Sequence, residues 1–403
     1  GYGLLGNSVG PNFAYSQAYG TGFSYDFGSG ERLNSVNIIN RLANPDIKWE
    51  SVATTNIGLD MGFIGDKLLV NLDYYSRQTK DMIYGIGIAT SAGLGTTVFA
   101  NVGQMSNKGF EFNIEYRGNL NKDFSYSVSL NGATNKNRLI SLNPLLGRGF
   151  LTNGNLSEAH PEDNVSRSEP GRELSNFFGY RVLGIYQDNA AGQKGPTING
   201  GYVPVAGDLI YDDLNKDGEI NAEDKAYIGT PWPKLTYGFN LKLGYRGFDF
   251  NAFFNGVAGA ELYNGFETYQ HIFHSDYTTS PKIFETSGFS GGGVTSTPRI
   301  GKIDDYDKNL NWASVNSYHV QNASYFRLRN IQLGYNFSSL LLNRLAISSF
   351  RLFVMADNLF TITGYKGINP DLGQGSFLER GIDNANYRYP VSRIFSVGVN
   401  AEF

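Results

Sequence analysis

The chain closes on VSRIFSVGVNAEF, residues 391–403. Phe395, Val397, Val399, Ala401 and Phe403 take one phase, and Ser396, Gly398, Asn400 and Glu402 take the other. Strict period-two alternation reads as a strand with one apolar and one polar face. The same code recurs upstream about eight times, so the chain reads as one large sheet that must hide one face. Protein core or lipid could hide it.

Working back, Phe110, Phe112, Ile114 and Tyr116 alternate with Glu111, Asn113, Glu115 and Arg117. A turn near 118–122 leads into Phe124, Tyr126, Val128 and Leu130, alternating with serines and Asn131. The spacing predicts a hairpin. Ile57, Leu59, Met61 and Phe63 pair in the same way with Leu68, Val70, Leu72 and Tyr74 across a tight turn at Gly65-Asp66. Leu235 to Tyr245 returns through Phe248 to Phe254 across Arg246-Gly247. A fourth hairpin pairs 325–338 with 349–361. Its first strand changes phase, which predicts a bulge near Asn330. Residues 1–50 read as a long loop, Leu174–Tyr186 as a local ribbon, and 83–105, 139–233, 256–323 and 362–390 as long links.

Short turns near 65, 120, 246 and 339–348 alternate with these links. Antiparallel order then puts all the turns on one rim and all the links on the other, as in an outer-membrane barrel. Phe63, Tyr116, Phe124, Tyr245, Phe248, Phe337 and Phe350 lie beside the turns, as an interfacial girdle would. Residue 1 on the link rim and residue 403 on the turn rim give about nine strands, an odd number that predicts missing strands from elsewhere.

Composition is consistent with this reading. The 403 residues include 50 glycines, 26 tyrosines and 28 phenylalanines, the mixture of strands, turns and interfacial rings. No run nears the roughly 18 apolar residues of a membrane helix, but a barrel strand needs only about 10. A net charge of -4 gives no electrostatic case for nucleic acid. With no cysteine, disulfides and thiolate metal sites are out. There is no starting Met or signal peptide, so a natural N-terminal part is expected to be missing.

The sharpest chemical motif is Asp213-Leu-Asn215-Lys-Asp217-Gly218-Glu219-Ile220, continuing to Asp224. Oxygens at loop positions 1, 3 and 5, glycine at 6, a carbonyl at 7 (Glu219) and a carboxylate at 12 form a Ca²⁺-loop pattern. The shorter Asp at the last place reaches less easily for bidentate binding. The alternative is an acidic turn-rich loop without an ion. Gly288-Phe-Ser290-Gly-Gly292 matches G-x-S-x-G but lacks the strand-turn-helix setting, so it reads as a loop. His271 and His274 near Asp276 read as solvent-facing histidines rather than a metal site. Among the loop aromatics, Tyr263, Phe266, Tyr269 and Trp312 are candidates to stack on sugars or grip peptides, with loop packing as an equal alternative.

Five phrases carry a family resemblance: LANPDIKWESVATTNIGLDMGF (42–63), VGQMSNKGFEFNIEY (102–116), GDLIYDDLNKDGEINAEDKAYIGTPWPKLTYGFN (207–240), ASYFRLRNIQLGYNF (323–337) and FVMADNLFTITGYKGINPD (353–371). In family order, they resemble the C-terminal half of SusC/RagA-type TonB-dependent outer-membrane transporters. The resemblance implies an all-β, antiparallel transmembrane barrel of 22 strands, of which residues 1–403 supply the last. The plug and earlier strands are not in this chain. It implies active uptake of an oligosaccharide or peptide, energised through TonB, with a SusD-like surface lipoprotein as lid and pairs that dimerise. Phe403 matches the terminal aromatic read during barrel assembly, and 213–224 matches an acidic family loop. The rival classes are a soluble β-rich glycan-binding protein with a calcium-stabilised loop and, less favoured, a barrel enzyme using Ser290 or His271.

Overall fold

The computed structural model describes residues 1–403 apart from 8–9, 11, 28–30, 88–96, 148, 156–163, 272–280, 288–292, 301–307, 313, 338–346, 372–377, 384–389 and 403. Ten strands form one continuous wall: β1 Tyr2–Asn7, β2 Glu50–Phe63, β3 Leu68–Gly87, β4 Thr97–Asn119, β5 Phe124–Leu142, β6 Leu235–Tyr245, β7 Phe248–Ala258, β8 Tyr325–Asn336, β9 Ser349–Thr363 and β10 Ile394–Glu402. Each pairs antiparallel with its sequence neighbour. Among the described residues β1 and β10 do not pair with each other, so the wall is open.

The register turns alternation along each strand into rows across the sheet. Met61, Val70, Ile114, Leu130, Phe239, Phe254, Leu328 and Phe360 are successive cross-strand partners. The adjacent row reads Asp60, Asn71, Asn113, Asn131, Gly238, Asn255, Arg327 and Thr361. One face is therefore apolar and the other polar across eight strands. No second layer covers the apolar face among the described residues: Ile114 is 37% exposed and Val397 75%. An uncovered apolar face of this extent fits hydrocarbon, not water. The polar row hydrogen-bonds laterally, with Asn71 donating to Asp60 at 2.5 Å and Arg327 Nε to Thr361 Oγ1 at 2.9 Å.

The rims separate as expected. Residues 64–67, 120–123 and 246–247 are short turns. Arg246 and Gly247 both have positive φ, 46° and 87°, the two-residue geometry that matches strand twist. Rings line this rim: Phe124 meets Tyr245 at 6.3 Å, and Phe248, Tyr335, Phe337 and Phe350 form a chain with centroids 4.6, 5.0 and 5.3 Å apart. The bulge falls at Arg329, where Leu328 pairs Phe254, Asn330 pairs Phe253, and no partner remains for the residue between. The 339–348 turn lies mostly, and Phe403 wholly, outside the described residues.

Four expectations need correction. Residues 1–50 are not one loop: β1 enters the wall, and Ala18–Phe27 pairs with Glu31–Arg41. The adjacent Leu4-Leu5 and three register shifts in that hairpin erase the period-two signal. The wall has ten strands rather than nine, and Gly1 pairs beside Asn56 in mid-wall rather than at the link rim. Much of the 83–105 link is strand, because β3, β4 and β5 run for 20, 23 and 19 residues. Finally, Leu174–Tyr186 is not one ribbon. Asn176–Tyr180 pairs with Asn164–Ser168 and Lys225–Gly229, while Val182–Ile185 pairs with Leu209–Tyr211.

Candidate functional site

The long links fold together over the polar face. Val165 and Phe177 come from the first large link, Tyr263, Trp312 and Val315 from the second and Ile382 from the third, and all pack in one core. Backbone pairing crosses the same boundaries, with Tyr263 opposite both Val320 and Ile382. A second core sets Met82, Val102 and Leu139 of the long strands against Leu151, Leu174 and Leu378 of the links. The links are thus a folded roof rather than loose loops.

A buried carboxylate pins the roof. Asp208 is fully buried and sits between two links. Arg299 Nε donates to its Oδ1 at 2.6 Å and Asn309 Nδ2 at 2.7 Å, while the Tyr202 hydroxyl and Val205 N–H donate to Oδ2 at 2.8 and 2.9 Å. A buried charge persists only when paired and hydrogen-bonded in this way. Burial, then the Asp208 charge, pushes the Tyr202 hydroxyl up to about 12. Burial pulls the Arg299 guanidinium down, but Asp208 and Tyr202 outweigh it and the net shift is upward. Nothing in the sequence flags this hub, whose two parts, Tyr202 to Asp208 and Arg299 to Asn309, lie about a hundred residues apart.

Between wall and roof lies a cavity of about 690 Å³. Asn71, Asp73, Glu111, Asn131 and Asn255 of the wall face Arg380 of the roof across it. Arg380 stacks 4.6 Å over the Trp232 ring, and burial lowers its pKa against the pull of Asp371. The Asn255 Oδ1 is buried without a hydrogen-bond partner. Amides and both signs of charge suit a ligand rich in hydrogen-bonding groups.

The sequence-derived candidates divide. Tyr263 and Trp312 are 0% and 2% exposed and pack inside the roof core. Burying two large rings stabilises the roof more than leaving them in water. Phe266 is half-buried on the helix Gly265–His271, and Tyr269 lies on the same helix with its side chain outside the described set. The side chain of His271, and His274, Asp276 and Ser290 entirely, also lie outside the described residues.

Asp213, Asn215, Asp217, Glu219 and Asp224 do share one loop, and backbone amides donate to its oxygens. Asp213 accepts from Lys216 N at 2.7 Å and Gly218 N at 2.9 Å, and Asp217 from Glu219 N at 2.8 Å. Asp224, fully buried, accepts from Leu214 N and Asn221 N at 2.8 and 2.9 Å. Glu219 Oε1 accepts from Gly200 N at 2.8 Å. Among the described residues no three acidic or histidine groups converge as a metal cluster. The loop is held by side-chain-to-backbone turns, and each carboxylate that accepts these bonds keeps further acceptor capacity.

A one-sided apolar wall, a polar inner face and a folded roof over the link rim define the class: the wall of an outer-membrane β-barrel. Residues 6–359 match the family described as TonB dependent receptor-like, beta-barrel, and the chain belongs to that family. It is 29% identical to TonB-dependent receptor P3 of Formosa agariphila over 100% of this chain and 39% of that protein. It is 26% identical to TonB-dependent receptor SusC of Bacteroides thetaiotaomicron over 100% of this chain and 37% of that one. The chain therefore spans about two-fifths of the length of these curated relatives. The structure described as the RagAB peptide transporter superposes with a TM-score of 0.75 at 21% identity, covering 99% of this chain and 40% of that one. That likeness shows the same fold. Membership places the chain in the outer membrane of a Gram-negative bacterium.

Proposed function

We propose that this chain forms part of the wall and the extracellular roof of an importer. It takes an oligosaccharide or a peptide through the outer membrane, energised through TonB, with a SusD-like lipoprotein over the roof and two such pairs associating as a dimer. The cavity between Glu111, Asn131 and Asn255 below and Arg380 above carries this reading. A roof folded over the polar face must open to pass cargo, so an energised gate fits better than a passive pore. The description of the RagAB peptide transporter supports the peptide class; the oligosaccharide class and the SusD-like partner rest on the family resemblance. Further strands flank β1 and β10, because an unpaired strand edge in hydrocarbon leaves backbone groups unsatisfied.

The test is uptake of a labelled oligosaccharide mixture and a labelled peptide mixture by cells carrying Glu111→Gln, Asn131→Ala and Asn255→Ala together. One class of cargo is expected to fall about tenfold or more with the barrel still folded, as read by a heat-modifiable gel shift. Unchanged uptake of both removes the cavity from the pathway. Calcium on the 213–224 loop belongs to the same proposal, supported by ligand spacing alone. Calorimetric titration of the protein against its Asp217→Ala variant decides it: equal heats end the calcium reading.

A further inference from the structure

On the outer face of the wall a basic patch begins where the apolar rows end. The outward phase of β4 runs Tyr116, Ile114, Phe112, Phe110 and then Lys108 and Ser106. That of β5 runs Val128, Leu130, Gly132, Thr134 and then Lys136, Arg138 and Ile140. The phase is fixed by burial: Lys136, Arg138 and Ile140 are exposed, while Asn137 and Leu139 between them are buried on the roof side. Lys108 pairs directly with Lys136, and Ser106 with Arg138. Lys80 of β3, opposite Ser51, adds a fourth exposed cation on the same phase. On the regularly paired stretches of this phase in β2–β5, above Tyr74 and Phe110, there is no carboxylate; the neighbouring exposed acid is Asp81, at the positive-φ bulge after Lys80.

Like charges set directly opposite on a ladder repel. Here they have no internal remedy: the side chains of Lys80, Lys108, Lys136 and Arg138 form no hydrogen bond or ion pair among the described residues. Glu169, near the patch, is engaged with Arg167 at 3.2 Å and Arg172 at 3.0 Å. Ser106, Lys108, Lys136, Arg138, Ile140 and Gly171 enclose an open groove of about 490 Å³.

Height decides what fills it. From Gly118 at the turn rim to Lys108 is about 34 Å along the strand at roughly 3.4 Å per residue. At a tilt near 40° that is about 26 Å along the membrane normal, against an apolar band about 25 Å tall. The cations stand at the outer headgroup layer, facing away from the lumen, with exposed Ile140 beside them.

We propose that this groove binds the phosphorylated headgroup of an outer-leaflet lipid. The inference rests on the outer-membrane barrel reading and not on import. A phosphate between Lys108 and Lys136, bonded by Arg138, removes their mutual repulsion. Protein purified from outer membranes into neutral detergent is titrated, by native mass spectrometry, with phosphorylated lipid A, with its dephosphorylated form and with inorganic phosphate. Phosphorylated lipid A is expected to bind, and to bind about 100-fold more weakly to the K108Q/K136Q/R138Q variant, at roughly fivefold per cation removed near a charged lipid surface. The dephosphorylated lipid is expected to bind both proteins weakly and alike, and K122Q on the opposite rim to change nothing. If the triple variant fails the heat-modifiability test, K136Q and R138Q alone are each expected to lose about fivefold. Undiminished retention of phosphorylated lipid A by the folded variants overturns the proposal. So does equally tight binding of inorganic phosphate, or of a protein partner that excludes the lipid.

Discussion

Asn113 and Ile114 are chain neighbours with opposite solvents, and the difference between them is the account at its smallest scale. Ile114 sits in the apolar row beside Val70 and Leu130, whereas Asn113 sits in the polar row beside Asn71 and Asn131. Ile114→Arg is therefore expected to destabilise the barrel by about 2–4 kcal/mol, the cost of a cation at mid-bilayer depth. Asn113→Asp is expected to change stability by less than about 0.5 kcal/mol. Urea unfolding in lipid vesicles measures both. In the roof, Arg299→Ala leaves the buried Asp208 charge without its ion pair. A loss of about 2–4 kcal/mol in local stability is expected. Hydrogen exchange reads it as faster exchange in 202–209 and 309–316 with the wall unchanged; equal exchange means that the hub does not hold the roof.

At the scale of elements, the hairpins are legible because two independent signals coincide, a period of two and a turn of the right chemistry. Arg246-Gly247 shows how little is needed. A Cβ at Gly247 would lie 2.8 Å from the Asn336 carbonyl oxygen, at φ 87°. Gly247→Ala is expected to cost about 1–2 kcal/mol and to slow assembly of β6 and β7, measured by urea unfolding and refolding into vesicles. The upper halves of β3, β4 and β5 are illegible for a physical reason. Above the membrane their inner side packs on the roof and their outer side meets headgroups and water, so Met82, Val102 and Leu139 face protein while lysines and serines face out. Register shifts between Thr79 and Ile83 and at Gln104/Met105 break the alternation itself, so Met82 and Val102 face the roof from the even parity that carries Tyr74 and Phe110 outward lower down. β1 hides for another reason, since Leu4 and Leu5 put apolar side chains on both faces of its strand.

For the molecule as a whole, the wall was readable and the roof was not. Wall contacts join neighbouring strands, so local pattern carries them. Roof contacts join Phe177 to Tyr263, Trp312 and Ile382 across two hundred residues, and no local pattern records them. That is why aromatic residues that look available for a ligand in the sequence, Tyr263 and Trp312, prove to be the roof's own core. It is also why the cavity's polar lining could be read from the strands while Arg380 opposite could not. The central claim, that hydrocarbon covers the apolar face, has a direct test. The chain contains no cysteine, so nitroxide labels can be placed one at a time at positions 110 to 116 and their collision rates measured in lipid vesicles. The account predicts a period of two: labels at 110, 112, 114 and 116 relaxed by membrane-dissolved oxygen, those at 111, 113 and 115 by a water-soluble nickel complex. Equal access of the nickel complex to both sets, in a protein that stays dispersed without detergent, would contradict it.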